Sequence, residues 1–295
     1  MDYHYYVCDK TSPKNSILDL TENEFKELES LYQVFSKFSN IVDCYNNFLL
    51  SAQDLINLLE FINSPECNKE DNNEVSKIYS HIKYRFISNV LFGRILFDNY
   101  QNFCKQIKNS KLNAIKTRYK NDESFKMMKL LRDYSIHYSL SISGLTRSIS
   151  FTKDFDKLNI YVEKRDLEKN LGANAGNDQF LKTINDEKVL LIAEFYKWRD
   201  VVDEFYSEVL VTYVETMTEI QQKILYSKFK YRKGLPNFVD SVLLIPDSIH
   251  KTLPLIDKPI ELDNKKYRVS KTIKFYSFNN SALDEVIDIL KVKFK

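Results

Sequence analysis

The chain has 295 residues, room for one large domain or two small ones. With 43% hydrophobic and 28% charged residues it carries enough apolar material for a core, which excludes global disorder. A formal charge of +2 does not call for nucleic acid, so any such site has to be a local basic patch. Five glycines and six prolines are few for this length, and both break helices, so long helices are expected. The four cysteines, Cys8, Cys44, Cys67 and Cys104, show no CxxC spacing. The opening Met-Asp-Tyr-His-Tyr-Tyr has neither the basic start nor the apolar run of a signal peptide. Together these read as reduced thiols in a cytoplasmic protein. No apolar run approaches the roughly 20 residues that span a bilayer, so no membrane partner is expected.

In chain order, residues 3–7 read as a short aromatic strand. Thr21-Glu22-Asn23-Glu24 is a capping box opening a helix that carries Phe25, Leu28, Tyr32, Phe35 and Phe38. Helical character resumes from about Val42 to Ile62 and stops at Ser64-Pro65. A third helix, about Glu74 to Ile107, places Ile78, Ile82, Phe86, Val90, Phe97, Tyr100 and Cys104 on one face. A basic connection follows, with Lys105, Lys108, Lys111, Lys116, Arg118 and Lys120. The next helix, about Glu123 to Tyr138, carries Phe125, Met128, Leu131 and Ser135 at helical spacing.

The period then changes. Leu140, Ile142 and Leu145, parts of Ile149–Phe151, and Leu158–Val162 read as short strands, and Gly172 and Gly176 as a loop. One long helix, about Asp186 to Tyr226, is expected from the stripe Leu191, Phe195, Trp198, Val202, Phe205, Val209, Tyr213, Met217, Ile220 and Ile224. Composition shifts at Gly234-Leu235-Pro236. Beyond it, Lys266–Phe275 has strand alternation, and Ser281-Ala282-Leu283-Asp284 suits the start of a final short helix. The expected organisation is a mainly α domain over residues 1–232 and a small α+β appendage over 233–295.

One segment suggests chemistry: Arg132-Asp133-Tyr134-Ser135-Ile136-His137, late in a helix. Its R-x4-6-H spacing, with long helices before it and a short extended segment after it, resembles the HEPN superfamily over residues of about 20–228. The resemblance implies a HEPN-like helical bundle. It also implies a metal-independent endoribonuclease, in bacterial (antiviral) defence or a toxin-like role, in which an RNA 2′-OH attacks the adjacent phosphate. By the same resemblance His137 is the general acid or base and Arg132 the phosphate clamp. Imidazole suits proton transfer near neutral pH, and guanidinium is a fork of donors that matches phosphate.

Positions five apart lie about 140° around a helix, so Arg132 and His137 do not share a face. The resemblance therefore implies a homodimer with a composite site at its two-fold axis. Asp133 and His137, four apart, do share a face, and Asp133 is placed to orient the imidazole. Tyr134 and Tyr138 are candidates for stacking on bases. Lys116, Arg118 and Lys120 are candidates for RNA phosphates. The chain departs from the family pattern in having Asp133 where asparagine is frequent. It also has Tyr138 directly after His137 and Ser139 next, so the H-x-Y ending of nucleotide-modified relatives is missing.

Two other readings stay open: a non-catalytic HEPN-like module that dimerises and binds RNA or a protein, and a structural helical protein in which Asp133–His137 is an ordinary surface pair. His4, His81 and His250 have no ligand partners at useful spacing, and no metal or cofactor is expected. GxxxxGK[ST], GxGxxG, HExxH and G-x-S-x-G are all absent from the sequence.

Overall fold

The computed structural model describes residues 2–9, 12–64, 66–150, 155–230, 237–246, 259–262, 265–268 and 275–295, with side chains placed outside 1–17, 149–157 and 231–275. Phe151, Gly234-Leu235-Pro236 and His250 lie outside the described residues. The fold is mainly α. The chain divides into two compact units, Asp43–Val209 and Met1–Val42 with Leu210–Lys295. The residues expected to stand apart from position 233 thus share a unit with the first 42 residues.

That second unit begins with a hairpin of β1 (Asp2–Asp9) and β2 (Ser12–Leu20), longer than the single strand expected over 3–7. Helix α1 (Glu22–Asn63) follows without a break. Its capping box is formed: Thr21 N–H donates to Glu24 Oε2 at 2.8 Å, and Glu24 N–H donates to Thr21 Oγ1 at 3.2 Å. The interruption expected before Val42 is absent. Ser36 and Ser39 turn their hydroxyls onto the carbonyls of Gln33 and Ser36, so these polar residues continue the helix.

The Asp43–Val209 unit takes up the rest of α1. Helix α2 (Asn72–Ile107) is capped by Asp71, which accepts from Asn73 N–H at 2.8 Å. It ends at Lys108, whose φ of 53° is left-handed. The expected basic connection is instead a helix, α3 (Ser110–Asn121). Asn109 caps it, and Leu112, Ile115 and Tyr119 form a buried stripe among the lysines. Helix α4 (Glu123–His137) is capped by Asp122 and buries Phe125, Met128 and Leu131.

A hairpin of β3 (Gly144–Ser150) and β4 (Phe155–Glu163) follows, in register from Gly144↔Tyr161 to Ser150↔Phe155. Leu140 and Ile142 precede it rather than forming a strand. After the short α5 (Lys164–Leu167) and a 3-10 turn, Asn174 caps α6 (Ala175–Thr183), so Gly176 is helical and only Gly172, at φ +87°, is a turn residue. Strand β5 (Lys188–Leu190) pairs with β4 and leads into α7 (Leu191–Thr216).

The core of this unit is aromatic. Phe125 meets Trp198 at 4.7 Å and Phe97 at 4.8 Å between ring centroids, and Phe205 meets Tyr100, Tyr119 and Phe125 at 5.0–5.5 Å. Such pairs add about 0.5–1.5 kcal/mol each beyond their buried area. Gly93 of α2 lies against the Trp198 indole. A Cβ there would collide with a ring carbon, so only glycine allows the approach.

The single long helix expected to run to Tyr226 is two. α7 ends at Thr216 and α8 (Glu219–Phe229) starts at a second capping box, in which Thr218 and Gln221 bond reciprocally. Ile220, placed in the stripe by its spacing, is 58% exposed because it lies in the new first turn. The chain then forms β6 (Asn237–Pro246), β7 (Pro259–Leu262), β8 (Lys265–Arg268) and β9 (Phe275–Ser277). Their sheet runs β2-β1-β6-β8-β7, with β9 also on β6. Helix α9 (Asn280–Lys293) is capped by Asn279 rather than by Ser281. Phe38 stacks on Tyr213 at 3.8 Å, and Phe35 meets Phe278 at 4.7 Å, within this unit.

Candidate functional site

Helix α4 carries the motif, and its sequence explains where the helix stops. Ser141 N–H donates to Ser135 Oγ, and that hydroxyl donates to Ser141 Oγ at 3.0 Å. This latch turns the chain away just beyond His137. Among the described residues the His137 side chain is exposed and makes no hydrogen bond. Its neighbours Ile136, Tyr138 and Leu140 are exposed too.

Arg132 is in a different environment. Its Nη1 donates to Asp98 Oδ2 of α2 at 3.0 Å, and its Nε donates to Asp133 Oδ1 at 2.9 Å. The other Asp133 oxygen accepts from Asn177 Nδ2 of α6 at 2.8 Å. Both carboxylate oxygens of Asp133 are therefore engaged away from His137, and the i,i+4 pairing expected from their spacing is not made. Two stronger partners win: a guanidinium on the same turn and an amide from a neighbouring helix.

Tyr134 is buried and Tyr138 is exposed, their rings parallel within 9° at 5.8 Å. Burial, with Asp166 nearby, pushes the Tyr134 hydroxyl above its ordinary value. Of this pair, only Tyr138 offers a ring face to solvent. The basic run is divided in the same way. Lys116 donates to Asn113 Oδ1 at 2.6 Å, and Arg118 pairs with Glu208 and lies over the Tyr119 ring. Lys120 alone of the three points to a cleft shared with Arg132.

That cleft, of about 620 Å³, lies between α2, α4 and α6, with the end of α3 at its side. It is lined by five cationic side chains, Arg94, Lys120, Lys126, Lys129 and Arg132, against two carboxylates, Asp98 and Glu123. His137 is not among its lining residues. Arg94 is almost wholly buried, with 6% of its side chain exposed. It reaches Asp98 Oδ1 at 3.2 Å, while its Nε has no partner among the described residues. Burial pushes its pKa down, Arg132 adds to that push, and Asp98 opposes it. Lys129 is shifted the same way, by burial first and then by Arg94, Arg132 and Lys120 around it, with Asp133 opposing. The ammonium groups of Lys120, Lys126 and Lys129 form no ion pair or hydrogen bond among the described residues.

Arg94, Lys126, Lys129 and Asn177 were not among the expected site residues. A signal for two of them is present in Lys126-Met-Met-Lys129-Leu-Leu-Arg132, a cation every third residue, which places all three on adjoining turns of one helix side. Arg94 and Asn177 come from distant parts of the chain and leave no such mark.

Among the described residues no three His, Cys, Asp or Glu side chains converge as a metal-ligand set, and no helix is long and apolar enough to cross a membrane. No family model, curated protein or solved structure matches this chain.

Proposed function

We propose that this chain is a HEPN-like, metal-independent endoribonuclease whose scission site is completed by a second copy. The observation that supports the reading is the state of His137. Its imidazole stands at the carbonyl end of α4, exposed and uncommitted, as a proton-transfer group must be before substrate arrives. Arg132, fixed by Asp98 and Asp133, is a guanidinium held in one orientation, suited to charge developing on a phosphate. In such a site the 2′-oxygen attacks phosphorus, the 5′-oxygen leaves, and His137 moves a proton to or from one of these oxygens. The two groups project from different sides of one helix, so a homodimer brings His137 of one copy toward Arg132 of the other.

A second reading is a non-catalytic RNA-binding module. It is favoured by Asp133, which is tied to Arg132 and Asn177 and so leaves His137 without the carboxylate that would orient it. Cleavage of structured and single-stranded RNA in EDTA separates the two. Wild type is expected to cleave, and His137→Ala and Arg132→Ala of matched folding to lose at least about 100-fold in rate, the usual contribution of a general acid or base. RNA bound but uncut by wild type moves the assignment to the binding module. Cleavage unchanged in both variants removes these residues from the site.

A further inference from the structure

The cleft between α2, α4 and α6 is chemically unfinished. Three lysine ammonium groups share it with two arginines, and none of the three forms an ion pair or hydrogen bond among the described residues. Lys129 is half-buried, with Asp133 and three cations acting on it, and burial together with those cations outweighs Asp133. Among the described residues Arg94 Nε has no partner although only 6% of its side chain is exposed, and buried donors without partners are uncommon in folded proteins. Asp98 bridges Arg94 and Arg132 with one oxygen each, a carboxylate already standing where a bridging anion is welcome. From α6 the cleft receives Phe180, half-buried, and Gln179. A cavity of about 620 Å³ lies within the range that holds small-molecule ligands.

We infer that this cleft is a nucleotide site, with a phosphoryl group held by Lys126, Lys129 and Arg132 over Arg94, and a base lying against Phe180. Cationic groups and an aromatic ring lining one cleft match a ligand that carries both a phosphate and a flat base. His137 does not line the cleft but Arg132, the phosphate clamp of the proposed scission site, does, so the test rests on Lys126 and Lys129, which RNA scission does not use. The nucleotide has two sources, a free nucleoside diphosphate or one residue of an RNA strand.

Calorimetric titration of the full chain in EDTA, at matched ionic strength, tests it with adenosine diphosphate, a pentaribonucleotide, inorganic pyrophosphate and adenosine. The expected result is binding of the diphosphate or the oligonucleotide, weaker binding of pyrophosphate and none of adenosine. Lys126→Gln and Lys129→Gln, half-exposed positions whose ammonium groups form no ion pair or hydrogen bond among the described residues, should each weaken binding about tenfold with no loss of melting temperature. Phe180→Ala should weaken the diphosphate more than pyrophosphate. Tighter binding of the oligonucleotide than of the diphosphate assigns the site to an RNA strand, and comparable or tighter binding of the diphosphate assigns it to the free nucleotide. Absence of binding by every phosphate-bearing probe, or wild-type affinity in both lysine variants, overturns the inference.

Discussion

The two ends of the Arg132–His137 segment live in different physical worlds, though they are five residues apart on one helix. Arg132 is gripped by two carboxylates and lines a cleft in which cations outnumber anions. His137 stands at the helix end among exposed Ile136, Tyr138 and Leu140, with no hydrogen bond among the described residues. A motif read along the sequence treats the two as one unit. The structure separates them into a group made rigid by its neighbours and a group left unconstrained.

The contrast is broken most severely from below. Phe125, 1% exposed, packs against Phe97, Trp198, Tyr119 and Phe205 under the cleft. Phe125→Ala is expected to cost about 3–5 kcal/mol in chemical denaturation. Ile136→Ser, at the other end, should change stability by no more than about 0.5 kcal/mol. Equal effects at the two positions would abolish the distinction.

A smaller effect is expected at the carboxylate between the arginines. Asp98→Ala strands the buried Arg94 and releases one side of Arg132. Because Asp98 is itself half-exposed, the expected loss is about 1–3 kcal/mol, the range for hydrogen bonds to charged groups. A loss under about 0.5 kcal/mol in urea unfolding would mean that the grip on Arg132 is not structural.

The smallest effect concerns pH. Burial and the neighbouring cations hold the Lys129 pKa below its ordinary 10.5. The unfolded chain therefore binds this proton more tightly than the folded one, and stability rises as pH climbs through the folded value toward 10.5. Lys129→Met removes that contribution. Its melting temperature should exceed the wild type's at neutral pH, with the gap narrowing as pH approaches 10.5. A gap that stays constant with pH would show that Lys129 is not under this electrostatic pressure.

Local rules made part of this readable. The Thr21 capping box and the apolar spacing of α2 and α4 can be seen in the sequence because each lies within a few turns. The Thr218 box follows the same grammar with Gln221 in the place of a glutamate, yet Leu191–Ile224 keeps its apolar rhythm across it. A stripe that continues in register hides a helix break, and only the exposure of Ile220 betrays it. Helix α3 was obscured in the opposite way, its stripe of Leu112, Ile115 and Tyr119 set among Lys111, Lys116, Arg118 and Lys120. The pairing of β1 with β6 joins Asp2 to Leu244, a separation over which no local pattern carries information. The site shows the same limit. Lys126, Lys129 and Arg132 announce themselves by spacing, whereas Arg94, Asp98 and Asn177 join them only through tertiary packing.

Gly93 gives this arrangement a dimensional standard. The missing side chain sets the distance between α2 and the Trp198 indole, and the very next residue is Arg94, with Asp98 one turn beyond. Any group added at position 93 has to be absorbed by a ring wedged between Phe48 and Phe125, or by the α2 backbone itself. A shift of the backbone would carry both cleft residues with it. The clearance of a single hydrogen atom in the core thus acts as the gauge block against which the spacing of charges at the surface is set.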